Sequence, residues 1–140
     1  MEIENNLPAD NAVVTSDRYR KDRIFIWYKE AYRVVLYSDI VWLEADRDYC
    51  FIHFKDLSKL IVVHPLKTVL QELPWEQFTR VHRGRTVNLE LVDRLVGNTI
   101  YIGKQDFLVS PAYWGNLLSR FKFLGQVKGL CKSKLSGNSK

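Results

Sequence analysis

The chain is punctuated at short, regular intervals. Between residues 24 and 63, aromatic and β-branched runs follow one another with only three or four residues between them. Links that short cannot carry a parallel crossover, which needs about a dozen residues or more, so the strands these runs form should pair antiparallel. Residues 24–29 and 33–37 flank Glu30-Ala31-Tyr32 and read as a hairpin. Residues 41–45 and 49–54 flank the charged tripeptide Asp46-Arg47-Asp48, and residues 59–63 follow a polar turn at 56–58. Five consecutive strands are expected, and an α/β nucleotide-binding fold is not.

Helical spacing appears in two places. After Pro65, a favoured first-turn residue, Leu66, Val69, Leu70 and Leu73 recur at helical intervals until Pro74 ends the run. Near the other end, Tyr113, Leu117, Leu118, Phe121 and Leu124 make a second stripe before Gly125. Between the two, residues 78–81 return to strand, 94–96 and 99–102 face each other across Gly97-Asn98, and 105–109 reads as a last strand. The expected fold is mainly β, with elongated antiparallel sheets and two short helices. A chain of 140 residues is too short for two ordinary domains and a linker. One domain is expected over 24–123, after a mobile leader over 1–23 and before a flexible basic tail over 124–140.

Composition narrows the function. An apolar share of 46% with 13% aromatics is enough to form a core, which a disordered chain lacks. No apolar run approaches the roughly 18 to 20 residues that cross a bilayer. Residues 1–17 lack the basic start and apolar stretch of a secretory signal, so the expected location is the cytoplasm. Cys50 and Cys131 form no CxxC pair, which suits a reducing compartment.

Catalysis is not expected. Cys50 lies in an alternating strand, no serine sits in a nucleophile elbow, and His53, His64 and His82 fall on different elements. The reading is therefore no catalytic residue, no metal ligand, no cofactor and no small-molecule substrate. Trp27, Trp42, Trp75 and Trp114 are placed at core-like positions, which argues against an RNA-stacking platform. The net charge of +5 and pI near 9.2 favour a polyanionic partner, although Lys128, Lys132, Lys134 and Lys140 put much of the excess in the tail.

Three segments carry a family resemblance. Residues 39–45 (Asp-Ile-Val-Trp-Leu-Glu-Ala), followed by a polar loop and Tyr49, resemble the opening signature of the LytTR family, the β-rich output domain of many bacterial response regulators. Residues 78–89 (Phe-Thr-Arg-Val-His-Arg-Gly-Arg-Thr-Val-Asn-Leu) are similar to its F-x-R-V-H-R-S-x-x-V-N motif, and Phe107-Leu108-Val109-Ser110 to its P-V-S-R stretch. The resemblance spans roughly residues 24 to 123. It implies a transcription regulator that enters the DNA major groove with loops in place of a recognition helix. No phosphoacceptor receiver domain fits before residue 24, so control through a separate sensor or membrane partner, or by expression, stays open.

The resemblance nominates three places. In the first, Arg47, Asp48 and Tyr49 form a loop; an arginine there can pair bidentately with guanine, and an aspartate can accept from cytosine N4. In the second, Arg83 and Arg85 flank Gly84, which stands where the family has serine, with His82 either touching DNA or bracing the loop. Asn88 is expected to shape the turn that follows. In the third, Ser110 and Tyr113 bracket Pro111, which replaces the usual arginine and supplies neither charge nor N–H. The role of that arginine would pass to Tyr113 or Arg120, and Ser110 with Pro111 suits a helix start. The expected partner is double-stranded DNA, bound by paired copies on a repeated site. The rival is a protein-interaction module that keeps the fold without DNA affinity.

Overall fold

A computed structural model of the chain describes residues 17–125. The chain divides between Asp39 and Ile40 into two compact units. In the first, helix α1 (Asp17–Asp22) leads into strands β1 (Arg23–Tyr28) and β2 (Ala31–Leu36), which pair antiparallel as a two-stranded sheet. Their turn is the dipeptide Lys29-Glu30, both residues at positive φ (51° and 62°). Left-handed conformation at both central positions matches the twist of the flanking strands, which explains the tight two-residue turn. The loop therefore comes earlier than residues 30–32, because Ala31 and Tyr32 pair with Tyr28 and Trp27. Residues 17–22, read as leader, form α1; residues 1–16 and 126–140 lie outside the described residues.

The second unit is built on a five-stranded antiparallel sheet in the order β5-β4-β3-β7-β6. Its strands are β3 (Ile40–Asp46), β4 (Tyr49–Phe54), β5 (Lys59–Val62), β6 (Phe78–His82) and β7 (Arg85–Asn88). Side chains alternate across a strand, so the register puts Leu43, Ile52 and Leu60 on one face with Cys50, Val62 and Thr86, all buried. Helix α2 (Leu66–Gln71) joins β5 to β6 and packs on β3 and β4. Strand β7 has no counterpart in the sequence reading. It is four residues long, with Thr86-Val87 between Arg85 and Asn88, and gives no usable periodicity. It is nevertheless the strand that ties β6 to β3.

A three-stranded sheet follows, in the order β10-β9-β8, from β8 (Arg94–Val96), β9 (Thr99–Ile102) and β10 (Gln105–Leu108). Gly97 takes a positive φ of 60° at the expected β8–β9 turn. Helix α3 (Pro111–Leu118) then packs on β6. Val81, Val87 and Leu89, together with Ile100, Phe107, Val109, Trp114, Leu117 and Leu118, form one core cluster. The helix stops at Leu118; Phe121 and Leu124 lie beyond it and are exposed. The architecture is mainly β, antiparallel, with short helices, as expected. The tryptophans depart from expectation. Trp114 is buried and Trp42 half-buried, but Trp27 and Trp75 stand 57% and 68% exposed.

Candidate nucleic-acid interface

Strand pairing decides where the nominated residues meet. The β3–β4 hairpin closes on the pair Asp46–Tyr49, leaving Arg47-Asp48 as a two-residue tip. Arg47 takes a positive φ of 58°, a left-handed conformation uncommon in a residue with a Cβ. Strand β7 begins at Arg85 opposite Glu44, and β6 ends at His82, so the Arg83-Gly84 turn lies at the same end of the sheet. A backbone hydrogen bond joins the two hairpins there: the Ala45 N–H donates to the Gly84 carbonyl at 2.9 Å.

The third place comes to the same end. The Ser110 N–H donates to the Val81 carbonyl at 2.8 Å, one residue before His82. Ser110 is the N-cap residue of α3 and Pro111 its first residue, but the Ser110 side chain makes no capping hydrogen bond. Its carbonyl instead accepts from the Tyr113 N–H at 2.9 Å.

The chemistry at this end is uneven. Arg47, Asp48, Tyr49, Arg83 and Arg85 are exposed, whereas His82, Ser110 and Tyr113 are half-buried. Among the described residues, Arg47, Arg83 and Arg85 form no ion pair. His82 is engaged within its own loop, where Nδ1 accepts the Gly84 N–H at 3.0 Å, so this nitrogen braces the turn. Gly84 itself is not demanded by backbone strain. A Cβ there would meet Ala45 Cβ at 3.7 Å and His82 Nδ1 at 3.9 Å, both at ordinary van der Waals separation.

One neighbouring carboxylate is engaged elsewhere. Glu44, which faces Arg85 across the strands, holds His53 Nε2 at 2.9 Å, and that imidazole stacks on Trp42 at 4.1 Å between ring centroids. Asn88 is fully buried and occupied at both ends: Nδ2 donates to the Ile40 carbonyl at 2.9 Å, and Oδ1 accepts the Glu90 N–H at 3.0 Å. Arg120, nominated to stand in for the arginine that Pro111 replaces, is held internally. It donates to the Glu76 carbonyl at 3.3 Å and to Thr79 Oγ1 at 3.4 Å, and stacks over Trp75.

One cation escaped the sequence reading. Lys104, in the β9–β10 turn, lines an open concavity with Arg85, Trp42, Gln105, Asp106 and Phe107. Its only local signal is the dipeptide Gly103-Lys104 between two strands, which identifies a turn and says nothing of Arg85. Among the described residues, no group of three or more His, Cys, Asp or Glu could hold a metal ion. Burial pushes the Cys50 thiol up to about 12, which suppresses its thiolate. No helix of the described residues is long and apolar enough to cross a membrane.

The chain is thus a β-protein with exposed arginines on two coupled turns at one end of its central sheet. Comparison with known proteins gives that class its family. The model of the LytTR family, described as the LytTr DNA-binding domain, matches residues 30–121, and the chain belongs to that family. Its fold is similar to that of the LytTr DNA-binding domain of a putative methyl-accepting/DNA response regulator from Bacillus cereus. The TM-score is 0.60 at 18% identity, covering 74% of this chain and 99% of that one. No curated protein sequence matches the chain.

Proposed function

We propose that this chain is a sequence-specific transcription regulator that reads the major groove of duplex DNA with its Arg47 and Arg83–Arg85 turns. The observation that carries the reading is the hydrogen bond from Ala45 to Gly84, which couples the two hairpins at one end of the sheet. Their three guanidiniums are exposed there. A guanidinium can pair bidentately with guanine O6 and N7, and each such pair discriminates by about 1–3 kcal/mol. Asp48 is a candidate acceptor for cytosine N4, and Tyr49 and Tyr113 are candidate DNA-touching residues beside them. Ser110 positions the start of α3, and His82 braces the second turn while its other nitrogen remains a candidate donor. Arg85 and Lys104, which line one open concavity together with Asp106, are assigned to phosphate, a contact that needs no base-edge geometry.

Magnitudes argue for two copies. Specific sites are typically bound about 4–10 kcal/mol more tightly than random DNA, and two base-reading guanidiniums, Arg47 and Arg83, supply only about 2–6 kcal/mol. Paired copies on a repeated site double the readout. The test is a selection of random duplexes against the wild type and Arg83→Ala. The wild type is expected to enrich one repeated sequence and the variant to lose that preference while keeping salt-sensitive, non-specific binding. An unaltered preference in Arg83→Ala would falsify the reading.

A further inference from the structure

We infer that the β1–β2 hairpin face bearing Phe25, Trp27, Tyr32 and Val34 is a docking surface for a second copy of this chain, hairpin against hairpin. The register places Phe25 opposite Val34 and Trp27 opposite Tyr32, so the four side chains share one face. They are 60%, 54%, 57% and 66% exposed, respectively. The rings are ordered, with Trp27 and Tyr32 meeting edge to face at 5.1 Å between centroids. No charged residue interrupts the four. Arg33, on the opposite face, donates to the carbonyls of Tyr28 and Lys29 at 2.9 and 3.3 Å, drawing its charge to the turn.

Area and shape select the occupant. Aromatic side chains carry about 150–250 Å² each, so the exposed part of this face amounts to roughly 450 Å², within the roughly 300–600 Å² of the largest, often functional, patch on a monomer. Two such faces together hide roughly 900 Å², just under the ~1,000 Å² of a stable specific interface and in the range of weak, transient association. The face has two rows, a bulky Trp27–Tyr32 row and a smaller Phe25–Val34 row. A two-fold axis crossing the strands lays each bulky row over the partner's smaller row, the self-complementary arrangement of an isologous interface. The interface is flat and small, so the dimer is weak, with a dissociation constant on the order of micromolar.

This interface shares no residue with the proposed DNA-reading turns and forms without DNA. The experiment is sedimentation equilibrium of the full chain from about 1 µM to 1 mM. Wild type, Trp27→Ser/Tyr32→Ser and the milder Val34→Lys are compared in low and high salt, with circular dichroism confirming the fold. Wild type is expected to show a monomer–dimer equilibrium that persists at high salt, since apolar association is not screened. Both variants are expected to weaken it at least tenfold while still binding DNA. A wild type that stays monomeric throughout overturns the inference whatever the variants do, and leaves the face to another partner. Folded variants that dimerise like wild type overturn it too, by placing the interface elsewhere. Absence of DNA binding in wild type would count against the proposed function and leave this interface standing.

Discussion

At the scale of single residues, Arg47 takes a left-handed conformation at its hairpin tip, as Lys29, Glu30 and Leu57 do at other turns. Left-handed backbone costs an L-residue about 1–2 kcal/mol, and glycine would relieve it at some cost in chain entropy. Arg47→Gly is therefore expected to stabilise the fold by about 0.5–1 kcal/mol in thermal melts, and to weaken selective DNA binding in gel shifts. If Arg47→Gly instead destabilised the fold and bound DNA normally, the argument would fail. Gly84 behaves oppositely, because it has room for a Cβ and no positive φ. Gly84→Ser should change stability by no more than about 0.5 kcal/mol and, by restoring a hydroxyl beside Arg83, increase DNA affinity in a titration. The family motif picks out both positions in the sequence, but neither the strain at one nor the spare room at the other can be read from residue type.

At the scale of elements, the proposed interface depends on β7, a four-residue strand of the central sheet without a sequence signal. It holds the Arg83 turn against β3, and it is held in turn by Asn88 at its end. Asn88→Ala removes two hydrogen bonds and leaves the Ile40 carbonyl without that donor in the interior. A loss of about 2–3 kcal/mol is expected in urea unfolding, with the denaturant slope unchanged. The expected turn-shaping role of Asn88 is carried by Oδ1. Its longer-range bond to Ile40 links residues 48 apart in sequence, beyond the reach of local pattern. The two expected helices form, but α3 is shorter than its apolar stripe. The hydrophobic spacing of Phe121 and Leu124 continues past Leu118, where the α-helix ends and the chain goes on through i→i−3 turns as far as Phe121.

At the scale of the whole molecule, electrostatics separates the two readings of the chain. A net charge of +5 is modest, so binding should follow the few cations gathered at the sheet end more than bulk attraction. With Arg85 and Lys104 each neutralising a phosphate, the affinity of one copy is expected to fall roughly tenfold, and that of a bound pair roughly a hundredfold, between about 50 and 200 mM salt. Removing Arg85 should lower the slope of log affinity against log salt by about one. Fluorescence anisotropy over a salt series measures both. A complex indifferent to salt would favour the protein-interaction module instead.

What the sequence determined by itself was local and repetitive: short β-forming runs, links too short for crossovers, two helical stripes and a motif naming the arginines. These follow from side-chain period and turn length, which act over a few residues. Tertiary structure decided the rest. It brought residues 47, 83–85 and 110 to one end of a sheet through the long-range pairing of β3, β6 and β7, and put Lys104 and Arg85 on the lining of one concavity. It also decided which aromatics are covered. Trp114 and Trp27 were both placed at core-like positions, yet one is buried and the other exposed, because burial depends on what packs against a face and not on the residues that form it.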